Sequence, residues 1–427
     1  MMGLGLLGRG VGDARFLAAC GAEITVTDLK THEELIESVA QLESFPNITF
    51  VLGEHRLEDF NNRDLIVKAA GVPLDSMYIA EAEKNNIPVR MSADLFAEIA
   101  NIPTIGVTGT RGKSTVTHMV HTILKKAGKQ VLLGGNVRGV STLALLEEVT
   151  PDHIAVLELD SWQLQGFGEA RISPHVAIFT TLYPDHQNYY KKHHEQYLAD
   201  KANIFLYQKP SDTLVLGKQC APTIIEKYAE HIEPKTLVVD ELKLPDTWVL
   251  NIPGIHNRYN AALALAAARV FDIPDETSRK ALESFAGVSG RLEFIREANG
   301  VKIYNDTTAT TPEATLAALR ALDIGTKNIV LIMGGADKDL DMNTLLYEIP
   351  NYTKRIILLA GTGTSRVLEF LPGASVFDDF SKAVDEAFAS SVSGDIILFS
   401  PAFASFGMFK NEYDRGDQFV KLVQEHS

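Results

Sequence analysis

The sequence predicts an α/β protein of three domains, on three observations. Short β-rich runs alternate with helix-like stretches along the whole chain, the pattern that builds parallel strands covered by helices. The alternation restarts twice, near Asn101 and near Gly287. The 427 residues also exceed what one core usually organises, since single domains run to roughly 150 residues. The expected domains are 1–100, 101–286 and 287–427.

Composition narrows the class. Hydrophobic residues at 45% and charged residues at 22% fit a globular protein and exclude disordered or collagen-like chains. The formal net charge of -15 argues against a nucleic-acid partner, because neutralising phosphates requires a basic face. Cys20 and Cys220 cannot form a disulfide framework, and no Cys/His cluster has zinc spacing, so a reducing cytoplasm is expected. No basic-then-apolar leader opens the chain and no apolar run approaches the roughly 18 residues of a membrane span, so no membrane partner is expected.

In the first domain "EITVTD", "NITFVLG", "DLIVKAAG" and "PVRM" read as strands. The turn "GLGLLGRG" is the kind that opens a dinucleotide-type, Rossmann-like fold, though a lone glycine turn is a weak signal. Such a turn should follow a buried strand, and only Met1 and Met2 precede it. Either the domain lacks its usual first strand or the recorded start lies downstream of the true one.

The second domain opens with strand, loop and helix in "NIPTIGVTGTRGKSTVTHMVHTILKKAG", with Val116, Met119, Val120, Ile123 and Leu124 at helical spacing. Its loop departs from the general phosphate-loop pattern G-x-x-x-x-G-K-[ST], because Val107 holds the first position. The chemistry is still that of a phosphate loop. Gly109 and Gly112 let backbone amides approach phosphate, Lys113 adds a mobile charge, the Ser114 hydroxyl can hold Mg²⁺, and the helix adds its positive end. Strands follow at "QVLLGG", "IAVLEL", "VAIFTT" and "DTLVLG", then an alanine-rich helix, "HNRYNAALALAAARVF". The third domain repeats the alternation at "VKIYND", "NIVLIMGG", "RIILLAG", "ASVFDD" and "DIILFSPA", and is again Rossmann-like.

Glu158 ends one buried run and Asp185-His186 follow another, where open α/β sheets place ligands. Carboxylate, imidazole and hydroxyl there suit Mg²⁺ and phosphate. Taken singly, His186 reads as a packed or solvated imidazole, Lys201 as a solvated surface lysine, Asn260 as a capping amide, and Arg291 with Asp306 as a surface ion pair.

The spacing of the loop carries more. "TGTRGKST" resembles the phosphate loop of the Mur ligase family, T-G-T-N-G-K-[ST], which also lacks the first glycine. "LELDSWQLQ", "TTLYPDHQNYY", "HNRYNAALALAAA", "GRLEFIREANGVKIYNDTTATTPEA" and "SPAFASFGMFKNEYDRGDQF" are similar, in order, to further family segments across all three domains. The resemblance implies an ATP-dependent amide ligase with a central P-loop ATPase-type domain. Gly109, Thr110, Gly112, Lys113, Ser114, Thr115, Asn260, Arg291 and Asp306 become ATP contacts, with Arg291 at phosphate and Asp306 at the ribose once the third domain closes on the second. Lys113, His186 and Lys201 become catalytic. Ser114, Glu158, His186 and a Lys201 carbamylated by CO₂ become the Mg²⁺ site.

The first domain then binds UDP, with Leu6 and Leu7 near the diphosphate and Asp28 near the uracil, while Asn136 meets the muramoyl part. The carboxy-terminal segment resembles the branch that joins D-glutamate to UDP-N-acetylmuramoyl-L-alanine in peptidoglycan precursor synthesis, and it places Thr310, Lys338 and Ser405 at the amino acid. A cytoplasmic monomer follows from the same resemblance. Three departures stand out. Arg111 replaces the loop's usual Asn, a change expected to be tolerated because its neighbours supply the phosphate-binding amides. Thr308 replaces a lysine, leaving Lys338 to meet a carboxylate alone. Glu412 stands where an aromatic is expected, with Tyr413 one place later. Two alternatives stay open: a Mur-type ligase with another amino acid or acceptor, such as a folylpolyglutamate synthase, and a catalytically weak scaffold homologue.

Overall fold

The computed structural model describes residues 1–73, 75–185, 187–190 and 194–426. It divides into two compact units, Met1–Asp246 with Tyr259–Leu282, and Thr247–Arg258 with Glu283–Ser427. Both are mixed α/β, as the alternation predicts.

The first unit begins with two short parallel pairs. β1 (Ile24–Asp28) pairs β2 (Ile48–Leu52), and β3 (Ile66–Val67) pairs β4 (Val89–Arg90). Met1–Gly3 lie between the pairs. Met2 bridges Thr27 and Lys68 in parallel, with Gly3 N donating to Thr27 O at 2.8 Å and Met2 N to Val67 O at 2.8 Å. The place of the expected first strand is thus taken by three residues, too few for any periodicity to announce. The helix Arg9–Ala19 follows and turns Val11, Ala14 and Ala18, at spacings of three and four, onto Leu4 and Val26. A Cβ on Gly10 would lie 2.3 Å from Leu4 O, so glycine there permits the close approach of helix and strand.

Six parallel strands form the central sheet: β5 (Thr104–Thr108), β6 (Gln130–Gly135), β7 (His153–Glu158), β8 (Val176–Phe179), β9 (Thr213–Gly217) and β10 (Lys235–Val239). Their order is β10-β9-β8-β5-β7-β6. The chain crosses from one side of β5 to the other between β7 and β8, which creates the crevice at the carboxyl ends of these strands where open sheets bind ligands. The helix Lys113–Lys126 buries the five apolar residues its spacing marks, each burial contributing about 1.5–3 kcal/mol.

In the second unit β11 (Glu293–Ala298) runs antiparallel to β12 (Val301–Asn305), and β13 (Ile329–Gly334), β14 (Thr353–Leu359), β15 (Ser375–Phe377) and β16 (Ile396–Phe399) complete a sheet of order β11-β12-β16-β13-β14-β15. Asn299 and Gly300, at φ 52° and 78°, make the tight β11–β12 turn with the left-handed pair such hairpins require.

Candidate active site

The phosphate loop, residues 109–112, leaves the carboxyl end of β5 and enters the helix Lys113–Lys126. Its two glycines are demanded by their surroundings. Gly109 has φ 138° and a Cβ there would lie 2.1 Å from Thr180 Oγ1; Gly112 has φ 87° and its Cβ would lie 2.6 Å from Asn260 Oδ1. Asn260, expected at the nucleotide, is therefore packed directly on the loop, and it is buried within the helix Ile255–Val270 rather than at its cap.

Thr180 and Thr181, just past β8, hold the loop's shape. Thr110 N donates to Thr181 O at 2.7 Å and Arg111 N to Thr181 Oγ1 at 2.9 Å, while the hydroxyls of Thr180 and Thr181 donate to Arg111 O. The amides of Thr110 and Arg111 are thus engaged within the protein. The Arg111 guanidinium donates to Asp185 Oδ2 at 3.0 Å.

Lys113 folds back, its Nζ donating to Gly109 O at 3.1 Å and Thr110 O at 3.3 Å. Lys201 is only 1% exposed, which corrects the surface reading of its helix, His194–Ala202. Its Nζ donates to Gly109 O at 2.9 Å and Thr108 Oγ1 at 3.2 Å and lies 4.9 Å from the centre of the Tyr197 ring. Burial first, and the Lys113 charge second, hold this amine well below the usual lysine range, against partial opposition from Asp160, Asp185 and Asp200.

Parallel pairing sets Glu158, at the end of β7, beside Val107 of β5, and Glu158 and Ser114 are both buried. Hydroxyl and carboxylate are hard oxygen donors of the kind Mg²⁺ takes, and that donor chemistry fits the ion. Among the described residues no three His, Cys, Asp or Glu side chains gather as a metal site. His186 lies outside the described residues. Thr115 is buried in the helix's first turn.

Within the same unit a cleft of about 220 Å³ is lined by Gly3–Leu7, Arg9, Lys68, Met91, Gly135 and Gln163 among others. Leu6 is exposed at its glycine turn and Leu7 is half-buried. The Asp28 carboxylate accepts from Leu4 N at 2.8 Å, Gly5 N at 3.1 Å and Lys30 N at 2.9 Å, so its place in the structure is to clamp that turn. Asn136 donates from its backbone to Glu158 O at 2.7 Å and accepts from the Arg9 guanidinium. Arg9 is a cleft residue that sequence reasoning missed.

In the second unit Asp306 is buried, not part of a surface pair. It accepts from Leu292 N at 2.9 Å and Ser400 Oγ at 2.8 Å, and burial pushes its carboxyl up to about 7 despite those donors and the Arg291 charge. Lys338 Nζ donates to Thr310 Oγ1 at 3.1 Å, and Ser405 is buried on the loop after β16. The Thr308 hydroxyl is turned to Gly290 O at 2.9 Å. Arg415, also missed, is fully buried. It donates to Thr307 O at 2.7 Å, Thr307 Oγ1 at 3.2 Å and Phe403 O at 3.2 Å, tying the two loops that carry Thr310 and Ser405.

Comparison with known proteins decides the family. The Mur ligase MurD-like N-terminal domain matches residues 1–91, the Mur ligase middle domain residues 107–243, and the Mur ligase glutamate ligase domain residues 290–403. The chain belongs to the Mur ligase family. A UDP-N-acetylmuramoylalanine–D-glutamate ligase of Roseiflexus sp. is 38% identical over 99% of this chain and 97% of its own. One of Borreliella burgdorferi is 35% identical over 99% and 96%. Among solved structures the UDP-N-acetylmuramate-alanine ligase of Thermotoga maritima superposes with a TM-score of 0.64 at 17% identity, covering 100% of this chain and 99% of that one. The MurF ligase of Thermotoga maritima, solved in complex with ADP, gives 0.60 at 18%, covering 87% and 97%.

As a Mur ligase the chain keeps Lys113, Glu158 and Lys201 at one sheet edge, in the first unit, together with Asn260. Arg291, Asp306, Thr310, Lys338 and Ser405 belong to the second. No described helix is long and apolar enough to cross a membrane.

Proposed function

We propose that this chain is an ATP-dependent amide ligase that adds D-glutamate to UDP-N-acetylmuramoyl-L-alanine through an acyl phosphate, in peptidoglycan precursor synthesis. The observation that carries the reading is the convergence of Lys113 and a buried Lys201 on the Gly109 carbonyl of a phosphate loop. The names of relatives matched over nearly the whole chain support it. In this reading residues 1–100 bind the UDP part, 101–286 the ATP, and 287–427 the incoming amino acid. The chain works as a cytoplasmic monomer, where its nucleotide substrates are.

The acceptor carboxylate attacks the γ-phosphorus of ATP and the bond to the bridging oxygen breaks, releasing ADP. The D-glutamate nitrogen then attacks the acyl carbon, the carbon–oxygen bond to phosphate breaks, and the nitrogen loses a proton. Lys113 meets the charge that moves between oxygens, an electrostatic task. Ser114 and Glu158, with His186 added by the resemblance, would hold Mg²⁺, which would supply neutralisation of phosphate charge. A neutral Lys201 amine adds CO₂, losing a proton and gaining a carboxylate end that also suits the ion. Arg291 and Asp306 serve the nucleotide. Asp28 shapes the turn that Leu6 and Leu7 present to the diphosphate, with Asn136 toward the muramoyl group.

One observation favours a second reading of specificity. Thr308 stands where a lysine is expected and its hydroxyl faces Gly290 O, so Lys338, with Thr310 and Ser405, meets the amino acid's carboxylates without that charge. Phosphate release from ATP by the purified protein, with UDP-N-acetylmuramoyl-L-alanine and a panel of amino acids, tests both. D-glutamate dependence is expected; dependence on another amino acid moves the specificity, and no release with any acceptor contradicts the ligase reading.

A further inference from the structure

We propose that Arg111 is a second phosphate-binding side chain, which exchanges its resting partner Asp185 for the terminal phosphate of the bound nucleotide. The inference rests on the ligase reading for its reaction, though not for its binding prediction. It begins with the donors the loop has left. Thr110 N and Arg111 N are bonded to Thr181 at 2.7 and 2.9 Å, so two backbone donors that usually cradle phosphate are turned away from it. Side chains must supply what those amides do not. Lys113 is one cation, and Arg111, two places earlier on the same loop, is the next.

The geometry allows the exchange. The backbone of Arg111 is pinned at both ends, its N–H to Thr181 Oγ1 and its carbonyl by the Thr180 and Thr181 hydroxyls, so the guanidinium can swing without moving the loop. Its side chain is 34% exposed, and it meets Asp185 Oδ2 at 3.0 Å through Nη1, which also reaches Thr110 O at 3.2 Å. The partly exposed guanidinium reaches solvent, so its pair with Asp185 can be exchanged for a stronger anion. A terminal phosphate carries more charge than one carboxylate and accepts the planar guanidinium fork bidentately. Asparagine, the usual family residue at this place, offers no such charge.

The test compares binding of ADP with that of a non-hydrolysable, methylene-bridged ATP analogue by calorimetry, in wild type, Arg111→Met, Arg111→Asn and Arg111→Lys. Melting curves confirm folding; Arg111→Asn, the family's own residue, keeps the test usable should Arg111→Met fold poorly. The expected result is a roughly tenfold loss of affinity for the analogue in Met and Asn variants, a loss below threefold for ADP, and partial rescue by Lys. The kcat for phosphate release should fall in parallel with the acceptor KM unchanged. Equal weakening of both nucleotides, or an unchanged preference in both Met and Asn variants, overturns the proposal. Selective loss of the analogue in a protein that never releases phosphate upholds Arg111 and removes the ligase reading.

Discussion

Lys113 and Lys201 place their amines on the same oxygen, the Gly109 carbonyl, at 3.1 and 2.9 Å. Two ammonium groups cannot both stay charged that close in a buried site without a large penalty. Lys113 is half-buried on the loop and Lys201 is enclosed, so Lys201 is the one whose proton affinity is pushed down.

That asymmetry predicts a trade of stability against function. A lysine with a depressed folded pKa binds its proton more readily in the unfolded chain, so stability rises with pH until the unfolded value near 10.4 is passed. In CO₂-depleted buffer, Lys201→Met should raise the melting temperature at pH 7, with the gain shrinking toward pH 10. Lys201→Ala should lose phosphate release by about 100-fold and regain part of it with added short carboxylates. Full activity in Lys201→Ala contradicts the carbamate role.

Asp306 predicts the opposite slope in the second unit. Its folded pKa near 7 stands above the model-peptide value, so the folded chain holds a proton the unfolded one has released. Stability from this group is complete at pH 4 and lost as pH rises through 7, by on the order of 2–4 kcal/mol. Chemical unfolding of Asp306→Asn between pH 4 and 8 should lack that decline.

Arg415→Lys should destabilise the second unit by about 2–4 kcal/mol. A lysine cannot reach Thr307 O, Thr307 Oγ1 and Phe403 O together, and a buried carbonyl left unpaired keeps its desolvation cost. Thermal unfolding with and without amino acid measures it, and the amino-acid KM should rise with the loss.

Asp28→Ala releases two amides of the glycine turn, Leu4 N and Gly5 N, and Lys30 N beyond β1. The UDP-substrate KM should rise about tenfold or more while the ATP KM stays put, since Asp28 holds Leu4, Gly5 and Lys30 rather than the phosphate loop. Steady-state kinetics in each substrate separates the two.

Most of the fold was legible because most of the central strands are continuous apolar runs, β6 and β9 ending in glycine. What escaped did so for local reasons. Met1–Gly3 are too few to show alternation. β10 is an edge strand whose partly exposed residues blur the pattern, and β11, "EFIREA", carries three charges. Asn299-Gly300 between β11 and β12 is a two-residue hairpin signal carried by the sequence itself. At the site, the loop, Glu158 and Asn260 followed from motif order. The burial of Lys201 and Arg415 did not, because an amphipathic helix period cannot tell a lysine pointed at a loop carbonyl from one in water. Nor could spacing show that Thr181 occupies the amides beside Arg111.

The central claim is that a carboxylate is activated by phosphorylation. UDP-N-acetylmuramoyl-L-alanine labelled with ¹⁸O in its terminal carboxylate, incubated with the protein, ATP, Mg²⁺ and D-glutamate, tests it directly by mass spectrometry of the phosphate released. One ¹⁸O per inorganic phosphate is predicted, with the other label kept in the new amide. Unlabelled phosphate accompanying amide formation would contradict the account.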